Sequence, residues 1–368
     1  MAAPTAPEWP LLRRVALDPA TDGVSSVRLS PATSSVVLVT SWDGRARVYA
    51  GAGTDGGAAP AAASGETSHA AAVLCGAFTD AGGRRVASGG LDRLVRARDV
   101  ERGAGAVGGD ADSTVVGRHA DAVRCMEAVH DQGLLVTGSW DGTVKLWDAR
   151  VRVLAEPTVV QVPGRVYALD VTTERAGAVV TLAALHDGTL IAHDARRPDL
   201  ALFHRPCSVG RQVRCVRVFD GGRGVLAGSI EGRVAVENFE DLASQPGAAD
   251  RRYAFKCHRR DELVFPVGAI QVLPGAAVGG AAGSSSHVFA TAGADGSVAV
   301  WDGAARKRFA RVERAFPTSC AALDASSPGA AAADGGVPAL AVAASYTFER
   351  GDVPHAPDEV LLFEVRPG

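Results

Sequence analysis

Lysine is almost missing from this chain of 368 residues: Lys145, Lys256 and Lys307 are the only three, and nearly all other positive charge is arginine. The formal net charge of −3 gives no sign of a nucleic-acid binder and leaves only local basic patches open. Six cysteines, at 75, 125, 207, 215, 257 and 320, are scattered without a CxxC pair. That excludes zinc-ligand spacing and the dense framework of a small disulfide-bonded domain; four of them lie among apolar or β-branched neighbours and read as buried, reduced thiols. The start, MAAPTAPEWP, has no basic segment followed by an apolar core, and no apolar run reaches the ~18 residues of a membrane helix. A soluble intracellular protein with no membrane partner is expected.

Enzyme signatures are also missing. There is no GxSxG elbow, P-loop or HExxH. Cys257-His258 is an isolated pair without further ligands at metal spacing. GAGTDG (51–56) is formally a GxGxxG motif, yet it opens no helix, Pro60 and a Gly/Ala/Ser run follow, and no βαβ unit surrounds it. No cofactor, no metal and no catalysis are expected, and a scaffold is favoured.

What the chain does contain is a repeat, within a composition of 47% apolar and 21% charged residues that suits a sizeable core. SWDGRARVYA (41–50), GLDRLVRARD (90–99), SWDGTVKLWD (139–148), LHDGTLIAHD (185–194), SIEGRVAVEN (229–238) and GADGSVAVWD (293–302) share one template. Their acidic turn residues fall at 43, 92, 141, 187, 231 and 295, so successive separations are 49, 49, 46, 44 and 64. Those lie near the roughly 40–45 residues of a WD-repeat propeller blade. Each copy reads as a hairpin from strand b to strand c, and helical periodicity is weak throughout. In the third copy His119, Thr137, Asp141 and Trp147 match the buried hydrogen-bond tetrad of such blades; the sixth offers Thr291, Asp295 and Trp301, with His258 as a more distant candidate.

A closed ring leaves only short, protected edges. SCAALDA (319–325), PALAVAAS (338–345) and EVLLFEV (359–365) supply three strands of a last blade, and WPLLRRVAL (9–17) is expected to add the fourth. The expectation is therefore one all-β domain spanning 1–368, a seven-bladed WD-repeat propeller closed by its N-terminal strand. Gly/Ala-rich stretches at 51–66, 103–112, 275–286 and 329–336 fall between strands and read as mobile loops.

In a blade, the b–c turn and the d–a loop share one face of the disc. Trp42, Trp140 and Tyr346 are expected there, as anchors for a ligand or as packing for neighbouring loops. In the fifth copy Glu237 stands where Trp147 and Trp301 stand in theirs, so this blade lacks the usual tetrad. Antiparallel pairing of RYAFK (252–256) with the strand starting at Arg233 brings Lys256 beside Arg233, and Arg214 is placed at the same edge, so that three cations converge. Two readings stay open: Arg233 pairs with Glu231 or Glu237, or the cations clamp an anion such as phosphothreonine.

SSVRLSP (25–31), VTSWDGRARVY (39–49), GRHADAVRC (117–125), VTGSWDGTVKLWDAR (136–150), SIEGRVAVE (229–237), YAFKCHR (253–259) and AASY (343–346) together resemble the mitotic-checkpoint Bub-family WD-repeat proteins, the propeller partners of the Bub kinases. The resemblance spans roughly 23–365 and implies a non-enzymatic spindle-checkpoint adaptor, monomeric within its complexes, found in the nucleus, at mitotic kinetochores and in the cytoplasm. It implies GLEBS-type kinase peptides bound across one face by Trp42, Trp140, Arg214 and Tyr346. It also implies phosphorylated Met-Glu-Leu-Thr repeats of the kinetochore scaffold held by Arg233 and Lys256. CSVGRQ before Arg214 departs from the basic, Tyr-containing lead-in of that family, and the 275–286 insertion is foreign to it. Two rival readings are a GLEBS-binding propeller of the nuclear pore and messenger-RNA export, and a cullin-ligase substrate receptor, whose WDxR box Trp147-Asp148-Ala149-Arg150 would fit.

Overall fold

The computed structural model describes residues 9–15, 17–18, 21–50, 63–100, 113–151, 156–175, 177–210, 212–219, 222–239, 252–273, 287–312, 319–326, 338–348 and 351–365. Among them the architecture is seven four-stranded antiparallel sheets and one two-stranded hairpin. Each sheet is a blade whose innermost strand, a, is Val24–Leu29, Val73–Phe78, Val123–Val129, Val166–Arg175, Val213–Phe219, Val267–Val272 or Cys320–Ala325. In blade three, strands b (Leu134–Ser139), c (Thr143–Asp148) and d (Thr158–Gln161) follow outward in order.

The last blade takes its outer strand from the opposite end of the chain. Leu11–Val15 pairs antiparallel with Glu359–Glu364, with Val15 opposite Val360 and Arg14 opposite Leu361. The core is correspondingly divided into wedges between neighbouring blades. Met126, Leu135 and Trp147 of blade three pack on Cys75, Ala77, Ala87 and Val95 of blade two. At the seam, Val24, Val27, Val37 and Val39 of blade one meet Ala341, Ala343, Val360 and Leu362 of blade seven. Burying one such Val or Leu is worth about 1.5–3 kcal/mol, so the ring is held by apolar contact between blades as much as by hydrogen bonds within them.

Three of the Gly/Ala-rich stretches, 103–112, 275–286 and 329–336, lie outside the described residues, as does 51–62. The end of the first is not loop. Gly65 and Glu66 belong to strand d of blade one, Gly65–Ser68, opposite Val48 and Arg47. A four-residue strand reading GETS carries no apolar alternation, so composition alone concealed it.

Tetrads pin the inside of two blades as expected. His119 Nδ1 meets Asp141 at 2.9 Å, Nε2 meets Thr137 Oγ1 at 2.8 Å, and Trp147 Nε1 donates to that same oxygen at 2.8 Å. His258, Asp295, Thr291 and Trp301 repeat the arrangement at 2.9 Å throughout. His258 precedes its threonine by 33 residues where His119 precedes Thr137 by 18, because the hairpin Arg259–Arg260/Leu263–Val264 and the 275–286 insertion intervene. A third set was not anticipated: His69 meets Asp92 at 2.9 Å and Ser88 at 2.8 Å in blade two. Its trace in the sequence is the parallel between SHA (68–70) and RHA (118–120).

The depressed carboxyl of Asp141 fixes the proton order of its tetrad. Burial pushes that carboxyl up, but hydrogen bonds from His119, Thr143 and the Ala120 amide outweigh it and hold it well below the usual range. An ionised carboxylate only accepts, so Nδ1 of His119 donates to it, while Thr137 Oγ1 accepts from Trp147 and meets His119 Nε2. Thr137→Val, which keeps the shape and removes the hydroxyl, orphans two buried groups and is expected to cost about 2–4 kcal/mol. Urea unfolding tests this; a midpoint equal to wild type would show that the tetrad is dispensable.

Candidate peptide-binding face

A cavity of about 780 Å³ occupies the axis of the ring, and Trp42, Trp140, Arg214 and Tyr346 all line it. The structure thus brings together the four residues expected to share a face, although they differ in exposure. Trp42 is 53% exposed, the most exposed aromatic at the mouth after Phe348 at 65%. Trp140 instead rests on the cluster of Ala72, Leu74 and Ala122 and leans on Tyr167, with ring centroids 6.4 Å apart. Tyr346 donates to the Gly351 carbonyl at 3.1 Å and lies against His355 at 4.9 Å. The packing reading describes Trp140 and Tyr346, which rest on their neighbours, while Trp42 is presented to solvent. Phe348 was missed by the sequence reading; it lies two residues beyond Tyr346, in a left-handed backbone conformation with φ of 64°.

Below the mouth the axis is polar. Strand a contributes Arg28, Glu127, Asp170, Arg217, Gln271 and Asp324 at one common level of six blades. Glu127 Oε1 accepts from both Arg28 and Arg217, the latter at 2.9 Å, and Arg217 Nε donates to Gln271 at 3.1 Å. Asp170 accepts from the Val218 amide at 2.6 Å and Asp324 from the Leu29 amide at 2.7 Å. Burial raises the carboxyls of Asp170 and Asp324; in Glu127 burial acts the same way, but the two guanidiniums outweigh it and hold that carboxyl low. The cysteines beside this level are inert: burial pushes Cys125 and Cys215 up to about 12, so both stay protonated near neutral pH.

Blade five carries the second feature. Strand b (Gly224–Ser229) turns through Ile230, Glu231 and Gly232 into strand c (Arg233–Asn238), which pairs with strand d (Tyr253–Lys256). Gly232, with φ of 59°, allows a close approach: a Cβ there would stand 2.7 Å from the Cys257 carbonyl and 2.9 Å from that of Phe265. Its own carbonyl accepts from the Cys257 amide at 2.9 Å. Arg233 and Lys256 are consequently direct register partners. Lys256 is exposed, and the Nε of Arg233 is buried with no hydrogen-bond partner.

Two expectations about this blade need correction, and the structure gives Glu237 a role of its own. Arg214 does not join the pair: it sits on strand a, facing the axis, while Arg233 lies beyond strand b on the outer half of the blade. A blade is radial, so sharing a face does not mean sharing a site. Arg233 also forms no ion pair with Glu231 or Glu237 among the described residues. Finally, the charge of Glu237 serves the ring. It is 2% exposed, and its Oε1 accepts from the Ser208 amide at 2.8 Å and from the Cys207 thiol at 3.7 Å. Arg252 Nε approaches its other oxygen at 3.8 Å. A carboxylate here ties strand c to the loop that leads into its own blade, the task a tetrad performs elsewhere.

Residues 112–148 match the model of the WD domain, G-beta repeat. Mitotic checkpoint protein BUB3.1 of Arabidopsis thaliana is 36% identical over 95% of this chain and 91% of its own length. The chain belongs to the mitotic checkpoint Bub3 family. Mitotic checkpoint protein bub3 of Dictyostelium discoideum is 32% identical over 94% of the chain and 93% of that relative. A Poly(A)+ RNA export protein of Schizosaccharomyces pombe is also similar, at 29% identity over 77% of the chain. Bub3 membership accounts for the WD repeats and the closed ring. Of the WDxR box, Trp147 is buried in its tetrad, and Arg150 forks onto Asp148, with Nε and Nη2 both at 2.8 Å, while remaining exposed.

Proposed function

We propose that this Bub3-family propeller is a non-enzymatic adaptor of the spindle assembly checkpoint with two peptide sites on one face, working in the nucleus, at mitotic kinetochores and in the cytoplasm. The axial mouth, with Trp42, Trp140, Arg214 and Tyr346, takes GLEBS-type segments of checkpoint kinases. The outer half of blade five, with Arg233 and Lys256, takes the phosphothreonine of phosphorylated Met-Glu-Leu-Thr repeats. The observation that carries the second site is the unpartnered Arg233 Nε beside exposed Lys256, two cations that no carboxylate neutralises among the described residues. A phosphate brings about −1.5 to −2 charges and three acceptor oxygens to such a pair.

The test is calorimetric titration with a Met-Glu-Leu-Thr peptide, phosphorylated and unphosphorylated, in the presence of a kinase GLEBS peptide. Binding of the phosphorylated form alone is the expected result. Equal behaviour of the two peptides would leave a GLEBS-binding propeller and favour the export reading, to which the Poly(A)+ RNA export relative gives some support.

A further inference from the structure

Blade two departs from the repeat in its b–c turn. Its strands b (Arg85–Gly90), c (Leu94–Asp99) and d (Ser113–Arg118) follow outward from strand a. In the other five hairpins of the repeat the residue before strand c is glycine, at 44, 142, 188, 232 and 296, and each has positive φ. In blade two it is Arg93, held in the same left-handed conformation with φ of 70°. That conformation strains a residue with a Cβ, and strained residues gather where a ligand is met. The Arg93 side chain is exposed and makes no hydrogen bond or ion pair among the described residues.

Two more cations lie at this place. Arg118, the last residue of strand d, stands opposite Leu94, as Lys256 stands opposite Arg233 in blade five. It is exposed, and its side chain too is unpaired among the described residues. The His119 amide donates to the Arg93 carbonyl at 2.9 Å, which fixes the two arginines side by side. Lys145 of blade three reaches across the wedge and donates from Nζ to the Arg118 carbonyl at 2.8 Å. Neighbouring carboxylates are engaged elsewhere: Asp92 faces His69 and Asp141 faces His119, each at 2.9 Å, and Asp121 accepts from the Ala122 amide at 2.8 Å.

We propose that Arg93, Arg118 and Lys145 form an anion site on the outer half of blade two, which takes one phosphate carried by a phosphorylated serine or threonine of a partner protein. The site is separate from the axial cavity, whose wall includes none of the three, and from the Arg233–Lys256 pair of blade five. One guanidinium fork satisfies a carboxylate, whereas three cations at one strand end suit a phosphate, with about −1.5 to −2 charges and three acceptor oxygens. A membrane headgroup fits less well. No large apolar side chain of blade two is exposed among the described residues, so the surface has nothing to insert between lipids.

The experiment follows the arginine Nε–H signals by NMR as acetyl-Ala-Gly-phosphoserine-Gly-Ala-amide, or its unphosphorylated counterpart, is added to the full chain. It is run on wild type and on the Arg233→Ala/Lys256→Ala variant, so that the outcome does not depend on the blade-five reading. The signals of Arg93 and Arg118 are expected to shift with the phosphorylated probe alone. Arg93→Gly restores the residue of the other blades, and Arg118→Ser supplies the one that blade one has in Ser68. Each should weaken binding about tenfold at low salt, with a smaller gap as salt screens the site. Arg93→Gly should keep the urea midpoint of wild type, because glycine adopts this turn without strain. Signals of Arg93 and Arg118 that do not move, binding that survives both substitutions, or a lowered midpoint for Arg93→Gly would overturn the inference. Sedimentation with phosphatidylserine vesicles, lost in the same variants and without a response to the peptide, would overturn it in favour of a membrane.

Discussion

Replacing Arg233 and Lys256 together by Ala is expected to weaken phosphothreonine-peptide binding by about 100-fold or more, while folding stability stays within about 1 kcal/mol of wild type. The size follows from two charge-assisted hydrogen-bonding side chains, each worth about 1.5–3 kcal/mol, lost at once. The unchanged stability follows from what the two residues leave undone in the fold. Lys256 is exposed, Arg233 joins no ion pair among the described residues, and the strand pairing between them runs through backbone atoms. Calorimetry with the phosphorylated peptide and urea unfolding of the same variant separate the outcomes. If the variant lost several kcal/mol of stability, the pair would be part of the scaffold and the clamp reading would fail.

The largest stability effect is expected at Glu127. Its one carboxylate oxygen satisfies two guanidiniums, Arg28 from blade one and Arg217 from blade five, across the axis of the ring. Glu127→Ala leaves Arg28 to Asp324 at 3.9 Å and Arg217 to Asp170 at 3.7 Å, longer contacts that replace the lost ones only in part, and breaking a buried pair in this way costs up to about 3–5 kcal/mol. The triple change of Arg28, Glu127 and Arg217 to apolar residues of similar size should cost much less, since the desolvation of all three charges is then removed as well. The sign with pH can be worked out. The folded-state carboxyl is held below its ordinary value of about 4.3, so its contribution is complete above that value and is lost as the pH falls through the depressed one. Asp170 acts in the opposite direction, because burial raises its carboxyl and its ionisation weakens the fold as pH rises. Denaturant midpoints of wild type and Glu127→Ala between pH 3 and pH 8 should therefore converge toward the acid end. Parallel curves would mean that the axial charges do not hold the ring.

Family membership and fold follow from the same local signals. The recurring b–c hairpins identify the blades, and the strands near the two chain ends identify the closure. Each signal is confined to a stretch of about ten residues, whose alternation and turn chemistry leave one arrangement. The Arg233–Lys256 pairing was legible for that reason, because antiparallel register is set by the two strands that share it. The tetrad of blade three was legible because its residues recur at constant offsets, and His258 only in outline, because insertions changed the offset. Tyr167 escaped notice, since a bulge is a property of pairing and leaves no composition of its own.

By itself, then, the sequence determined the kind of ring, the number of its blades, the strand that closes it and the pairing of Arg233 with Lys256. Only the tertiary structure decided where the charges go: Glu237 to the Ser208 amide, Glu127 to two arginines of distant blades, and Arg214 to the axis, apart from Arg233. The physical reason is range. Strand period and turn geometry act between neighbours in the chain, whereas a buried charge takes its partner from whatever residue the closed ring brings within hydrogen-bond distance.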